Sequence, residues 1–565
     1  MAFPTLAARL SALGLLLPLA GAATQGDQAP PAADYFATLV RAGELFDRGQ
    51  WAEAGELYAK LASWDPENGF LVLQHGTCLA RAGENAAALT LLERAVEMGQ
   101  GFLPYQCFEI ARLHAIEGSG AAACDWLEKA LAARYEDRPS LAAEPAFAGL
   151  LEDARFRRIA GLLSNGELAR EAGWRHDLAY FLEEVRRLHA DPARPAFDPA
   201  YVAAVGSLAS RAGELSDEEV ALGILQLAVR LGDGHSALYP VSTDRVRFLA
   251  LPVQLYFFSD GLFVVDGEGP GAEWIGYELV DVGGESVAGI ERRLEPYVPR
   301  DNAHGILWIG PRLLSMPSVL ADMGFPVGEG AVDLGLRDES GAVVRVQLAA
   351  TAIHERDSKL RPPAALDPER LPLWQSRMDT PYWHRALPEL DALYVQFNQV
   401  RDGGAQTIAQ FAADVQRVVA EDTPRHLILD LRHNNGGNNF LIWPMIRALV
   451  AFETSTPDHE LFVLTGRNTF SACQNFLNYV ERVCEPTIVG EPSSSKPNFT
   501  GESTNVLLPW SGLALSISSR YWQDSFPGDR RPWIPPQVPV ELSSLDHFTG
   551  RDPALEAIAD VIAMR

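Results

Sequence analysis

The sequence predicts a multidomain protein: an all-α array of repeats, a further helical segment, a β-rich module and a C-terminal α/β core. Three observations predict it. Small and apolar residues recur with a period of 34 positions across residues 35–165, as stacked helix hairpins require. Short β-like runs broken by Gly and Pro fill residues 245–360. Over residues 386–545, apolar strand-like runs alternate with amphipathic helical ones, which favours a largely parallel sheet with helices packed on it. A chain of 565 residues has room for three or four domains, and its 47% apolar content can fill their cores.

Residues 1–23 read as an export signal. Arg9 gives a positive start, Leu10–Ala20 is apolar, and Ala20-Gly-Ala22-Ala23 supplies small residues for cleavage. The apolar run is too short to span a bilayer stably, and the alternative is a short buried helix. No other segment looks transmembrane, and no cysteine follows the run to carry a lipid. A secreted or periplasmic location is expected, with no stable membrane insertion after cleavage; the Ala- and Arg-rich style suggests a bacterium. The net charge of −27 repels phosphate backbones and anionic lipid, so no nucleic-acid partner is expected. The five cysteines, Cys78, Cys107, Cys124, Cys473 and Cys484, are too sparse for a disulfide framework. Cys473 and Cys484 share one predicted helix, about 16 Å apart along its axis, too far for a bridge. No Cys/His spacing suggests zinc, and no metal or cofactor is expected.

Residues 24–34, with Pro30 and Pro31, read as a linker. The repeat then begins. Gly49-Gln-Trp-Ala-Glu-Ala54 is followed 34 residues later by Gly83-Glu-Asn-Ala-Ala-Ala88; Tyr58 aligns with Leu92 and Leu61 with Ala95. A third copy carries Gly118, Ala123, Leu127 and Ala130, and Asp65-Pro66 ends the first unit. The pattern resembles tetratricopeptide repeats. Each such unit hides its apolar face only by stacking on the next. The array could bind a protein partner or serve as a cap or oligomerisation element.

Residues 170–240 read as further helices, including Asp177–His189 and Asp217–Leu231, and end in Leu231-Gly-Asp-Gly-His235-Ser-Ala-Leu. Within 245–360 the runs Pro252–Phe258, Leu262–Val265 and Val343–Leu348 read as strands. Gly276-Tyr-Glu-Leu-Val-Asp-Val-Gly-Gly-Glu-Ser-Val resembles the strand–turn–strand of a PDZ-like module, a type that captures chain ends by strand addition. In the core, strands are predicted at Ala392–Phe397, His426–Leu431, Glu460–Thr465 and Thr487–Val489. Helices are predicted at Thr407–Ala420, Asn439–Phe452 and Ser471–Val483, a hairpin at Val506–Ser518, and a C-terminal helix at 546–565.

The chemistry centres on Thr469-Phe470-Ser471-Ala472. Phe476, Val480 and Val483 fall at helical spacing after it, so Ser471 stands at a helix N-terminus, where free N–H groups favour developing negative charge. Taken alone, this serine is more readily read as a helix cap. The apolar strand Leu427-Ile-Leu-Asp430 runs into Leu431-Arg-His-Asn-Asn-Gly436-Gly437, whose glycines allow close backbone approach. Lys496 follows Ser471 by 25 positions, within Gly490-Glu-Pro-Ser-Ser-Ser-Lys496. A lysine base must shed its proton, so its pKa must fall from about 10.4 to near neutrality, which requires desolvation. There is no G-x-S-x-G elbow, H-E-x-x-H motif or P-loop, and Gly267-Glu-Gly-Pro-Gly271 lacks dinucleotide-binding spacing.

These segments resemble the S41 family of serine peptidases, the tail-specific (C-terminal processing) proteases and their tricorn-like relatives, over roughly residues 170–545. The resemblance implies a ClpP/crotonase-like protease core with Ser471 as nucleophile. It implies oxyanion N–H groups from Ala472 and from Gly436 or Gly437, and a base at Lys496. In tricorn-like members a histidine placed like His235, in Asp-Gly-His-Ser, is the base, and its ordinary pKa of about 6.5 suits proton transfer. Asp529 is nearest to the position of a third, acidic member. Gln474, Ser495 and Gln537 depart from the family pattern of Glu, Gly and Asp. The expected activity is a serine-type endopeptidase acting on protein or peptide substrates. The rival is a catalytically silent scaffold that binds peptides through the repeats and the PDZ-like module.

Overall fold

The computed structural model describes residues 32–162, 168–191, 195–328, 330–352 and 359–564. The expected export signal lies outside these residues. The chain divides into two compact units, one ending at Glu167 and the other starting at Leu168. No described helix is long and apolar enough to cross a membrane.

The first unit is built of helix hairpins: Ala32–Asp47 with Trp51–Trp64, Gly69–Ala82 with Asn85–Glu97, and Leu103–Ile116 with Gly120–Ala132. The periodic glycines make the turns. Gly49, Gly83 and Gly118 have φ of 73°, 86° and 75°, a conformation that any Cβ penalises. The residue after each glycine donates its N–H back into the helix: Gln50 to Leu45, Glu84 to Leu79 and Ser119 to His114. The periodic alanines pack where helices touch: Ala54, Ala88, Ala95, Ala123 and Ala130 are all fully buried. Tyr58, Leu92 and Leu127, at matching positions, are buried beside them.

The second unit opens with helices Arg170–Leu188, Pro199–Arg211 and Asp217–Val229. Ser216 and Glu219 close the start of the third with a reciprocal capping box. An antiparallel sheet follows: β1 (Val253–Phe258), β2 (Gly261–Gly267), β3 (Glu278–Val282), β4 (Ala331–Arg337) and β5 (Val343–Ala349), in that spatial order. The helix His304–Leu314 packs on β1.

The core sheet holds β6 (Tyr382–Leu387), β7 (Ala392–Phe397), β8 (His426–Asp430), β9 (Glu460–Thr465) and β10 (Thr487–Gly490). Between β10 and the final edge strand comes a hairpin, β11 (Asn498–Leu507) and β12 (Ala514–Gln523). The edge strand β13 (Val538–Pro539) then closes the sheet order β6-β7-β8-β9-β10-β13. β6 runs antiparallel to β7 and every other pair is parallel. All residues of β7 and β8 are buried, because both faces of the sheet are covered, and this is why they read as unbroken apolar runs. One face packs on helices Ile408–Asp422, Trp443–Ser455 and Ala472–Val483, the other on Pro553–Met564.

Several boundaries differ from expectation for local reasons. The helix predicted from Asn439 begins with a 3₁₀ turn, and its α portion starts at Trp443, next to Pro444, where the missing proline N–H costs nothing. The hairpin is longer than Val506–Ser518. The C-terminal helix is two, Ser544–Thr549 and Pro553–Met564, separated at Gly550. β6 and β13, at the sheet edges, had no strong apolar signature.

The parallel order positions the site. The turn containing Gly436 and Gly437 follows β8, Ser471 follows β9 and Lys496 follows β10, so three successive crossovers deliver their loops to one end of the sheet, where α/β folds bind ligands. The two-residue strand Ala237–Leu238 pairs with β12 through Ser516 and Leu515. That pairing brings His235 to the same end from far away in the sequence.

Candidate active site

Ser471 is built into a strained turn. After β9, Thr469 Oγ1 donates to Leu431 O (3.0 Å) and accepts from Gly466 N (3.1 Å), while Phe470 N donates to Asn434 O (3.1 Å). These bonds tie the serine turn to the Gly-Gly turn. Ser471 itself has φ 57° and ψ −125°, a conformation costing on the order of 1–3 kcal/mol that the surrounding structure must impose. Its side chain caps no helical N–H. Instead, Ser471 Oγ lies 2.9 Å from His235 Nε2.

His235 is held by its backbone and by its ring faces. Asp233 Oδ1 accepts the N–H of His235 (2.9 Å) and of Ser236 (2.6 Å), and the Ser518 hydroxyl (2.6 Å). Asp233 Oδ2 pairs with His189 Nε2 at 3.0 Å. Burial alone would raise the Asp233 pKa, but His189 and the hydroxyl and amide donors hold it below the ordinary value. The imidazole stacks between Phe470 and Phe499, with ring centroids at 4.4 and 5.5 Å. Burial pushes the His235 pKa down to about 4, against the pull of Asp233. At neutral pH the ring is therefore uncharged and can accept the serine proton. Its Nδ1 is buried with no hydrogen-bond partner among the described residues.

The two glycines leave no room for side chains. A Cβ on Gly436 would stand 2.8 Å from Ser471 Cβ and 2.9 Å from Ala472 N; one on Gly437 would stand 2.2 Å from Val400 O. Gly436 N–H donates to Asn434 Oδ1 at 3.0 Å, and Gly436 O accepts from Val400 N at 2.9 Å. Among the described residues, neither Gly437 N–H nor Ala472 N–H makes a hydrogen bond. Those two donors are available to an oxyanion, whereas Gly436 spends its own on the turn. Asp430 and Arg432 brace the same turn: Arg432 grips Asp430 (2.6 Å) and Asp552 (2.8 Å).

The remaining expected site residues fall elsewhere. Lys496 is half-buried and, among the described residues, makes no hydrogen bond or ion pair with Ser471. Its neighbour Ser495 does contact the nucleophile, its Oγ accepting Ser471 N–H at 3.1 Å. Asp529 is not brought to His235. It binds the Ser525 hydroxyl (2.7 Å) and the Arg531 guanidinium (2.8 Å), and Arg531 carries it toward Glu481. The hydrogen bonds from Arg531 push its pKa down to about 2.

The three departures from the family pattern have structural work. Gln474 Oε1 accepts the Ser493 hydroxyl (2.6 Å), Ser495 accepts the nucleophile's amide, and Gln537 Oε1 accepts Ile488 N (2.7 Å), joining β10 to the edge. Sequence reading passed over Asp233 and His189, and the aromatic pair around His235. Asp233 stood two positions before the histidine and was legible there; His189 was not.

No protein-family model and no curated protein sequence matches the chain. Among solved structures, mature CPAF complexed with lactacystin is similar, with a TM-score of 0.50 and 14% identity over 70% of this chain and 98% of that one. Mature CPAF alone gives a TM-score of 0.50 and 15% identity over 70% and 97%. At such identity the likeness speaks to architecture: the chain shares the fold of mature CPAF over 70% of its length.

Proposed function

We propose that this chain is a serine-type peptidase of the S41 family, acting on protein or peptide substrates through an acyl-enzyme on Ser471, with His235 as the base. One observation carries the proposal: a serine in a strained turn, directly before a helix, lies 2.9 Å from the Nε2 of a half-buried histidine. His235 takes the Ser471 proton as Oγ attacks the substrate carbonyl. The protonated ring then returns the proton to the leaving amine. The N–H groups of Ala472 and Gly437 receive the carbonyl oxygen as it becomes negative, in a site where water screens little. Water repeats the sequence on the acyl-enzyme. General base catalysis of this kind contributes about 10²–10⁴-fold, and oxyanion donors about 10²–10³-fold each.

The repeats supply a surface for a protein partner, and the antiparallel sheet acts as a PDZ-like module that presents chain ends. The N-terminal apolar run supports export. Fluorophosphonate labelling of the purified protein tests the chemistry. Label is expected on Ser471, abolished in Ser471→Ala, reduced at least about hundredfold in His235→Ala and retained in Lys496→Ala. Absence of label on the intact protein, beside a labelled control hydrolase, would refute the peptidase reading and favour the scaffold.

A further inference from the structure

The segment leading into the helix His304–Leu314 touches both halves of the site. Asp301 Oδ1 accepts the N–H of Gly234 at 3.0 Å, at the peptide next to His235. The following residue, Asn302, donates from Nδ2 to Ser493 O (3.0 Å) and Pro532 O (2.8 Å). Ser493 begins the loop whose Ser495 accepts the Ser471 amide and whose next residue is Lys496. Two consecutive side chains, each less than a tenth exposed, thus hold the turn of the base and the loop behind the nucleophile.

Asp301 does more than fill space. A Cβ on Gly234 would come within 3.3 Å of Asp301 Cγ, so the carboxyl lies directly against the histidine turn. Asp301 Oδ2 is buried with no hydrogen-bond partner among the described residues, and so is His235 Nδ1. Among the described residues no carboxylate caps that nitrogen; the charge of Asp233 bears on the ring, and Asp301 binds the peptide next to it. The charged groups that bear on Asp301 are Asp233 across the turn and Lys496 on the 493–496 loop. Burial, then the charge of Asp233, push its pKa up to about 7; Lys496, the Gly234 amide and the Ser495 hydroxyl pull the other way.

We propose that Asp301 is a positioning residue for the Ser471–His235 pair, its carboxylate locking the Gly234–His235 peptide and favouring the imidazolium, with Lys496 as its countercharge and not the proton acceptor. The proposal rests on His235 being the base. It assigns Lys496, the residue best placed by sequence spacing, an electrostatic task at one remove from the reaction.

The test is the rate of fluorophosphonate labelling followed between about pH 5 and pH 9. The wild type should show a rise near pH 7 as Asp301 ionises. Asp301→Asn keeps an acceptor for Gly234 N–H but no charge. It should match the wild type at the acid end, lack the rise, and lie about tenfold below it at the alkaline end. Lys496→Gln should keep the rise but displace it by about one pH unit to higher pH. A merely structural lesion would lower the rate by one factor at every pH. An Asp301→Asn profile that tracks the wild type, or falls uniformly, overturns the proposal, as does a Lys496→Gln protein inert throughout. Full labelling of His235→Ala would instead overturn the base assignment, so the two failures are distinguishable.

Discussion

Replacing Gly436 with alanine places one methyl group between the nucleophile and the oxyanion donors. The new Cβ would stand 2.8 Å from Ser471 Cβ, 2.9 Å from Ala472 N and 3.0 Å from Phe470 O. Ordinary carbon contacts lie at about 3.5–4.0 Å, so something must move by roughly 0.7 Å or more. None of the three neighbours is the flexible end of a long side chain, so the displacement falls on the Ser471 turn itself. The backbone resists as well, because Gly436 has φ 107°, which costs an L-residue about 1–3 kcal/mol. A nucleophile misplaced by about 1 Å loses on the order of 10²-fold in rate. Gly436→Ala should therefore lower peptide turnover and fluorophosphonate labelling about hundredfold, while the melting temperature drops by only a few degrees. Gly404→Ala is the control: a Cβ there meets nothing within 4 Å, and activity should not change. A Gly436→Ala enzyme as active as the control would refute the reading of this turn as the wall of the oxyanion site.

Asp233→Ala removes the acceptor for His235 N, Ser236 N, Ser518 Oγ and His189 Nε2. Leaving a buried donor without its acceptor costs about 1–3 kcal/mol, so denaturant midpoint and labelling rate should both fall, and a variant normal in either would contradict the network. Ala88→Leu inserts bulk at a fully buried helix contact; calorimetry should show the transition of the first unit destabilised by about 1–3 kcal/mol, and an unchanged transition would refute the tight packing. Asp529 has a folded pKa of about 2, below the unfolded value of about 3.9. Its pairing therefore stabilises the fold above about pH 4 and is lost as the pH falls toward 2. Asp529→Ala should melt below the wild type at neutral pH, converge with it in acid, and label normally; a hundredfold loss of labelling would restore Asp529 to the catalytic set.

The parts of the site legible in the sequence are those fixed within a few residues. Gly436 and Gly437 mark a turn by residue type alone and take φ of 107° and 137°, although the contacts that exclude a side chain come from Ser471, Ala472 and Val400 far along the chain; Ser471 stands before a helix whose apolar spacing is visible. Lys496 shows the limit of spacing. Twenty-five positions after the serine it arrives at the correct end of the sheet, but the direction of a side chain there depends on neighbours. Ser493, Ser494 and Ser495 are all buried, and it is Ser495 that takes the place against the nucleophile. Asp529 carried its own refutation two residues on, since Arg531 is near enough in sequence to claim its carboxylate. Asp301 offered nothing local: its partner Gly234 lies 67 positions away.

Placing the base on a distant turn has a physical consequence. Because the turn of His235 is held by the pairing of Ala237–Leu238 with β12 and by hydrogen bonds of Asp233 and Asp301, the dyad needs the helical segment, the hairpin and the core sheet assembled together. The same closure partly buries the imidazole between Phe470 and Phe499 and drops its pKa to about 4, which keeps the ring neutral but makes it a weak acceptor on its own. Proton transfer must then be driven by charge developing in the transition state, through the acids that hold the turn and the amides of Ala472 and Gly437, and not by the basicity of the resting ring. Asp233, Asp301 and Gly437 therefore matter to the rate although none of them exchanges a proton with the substrate.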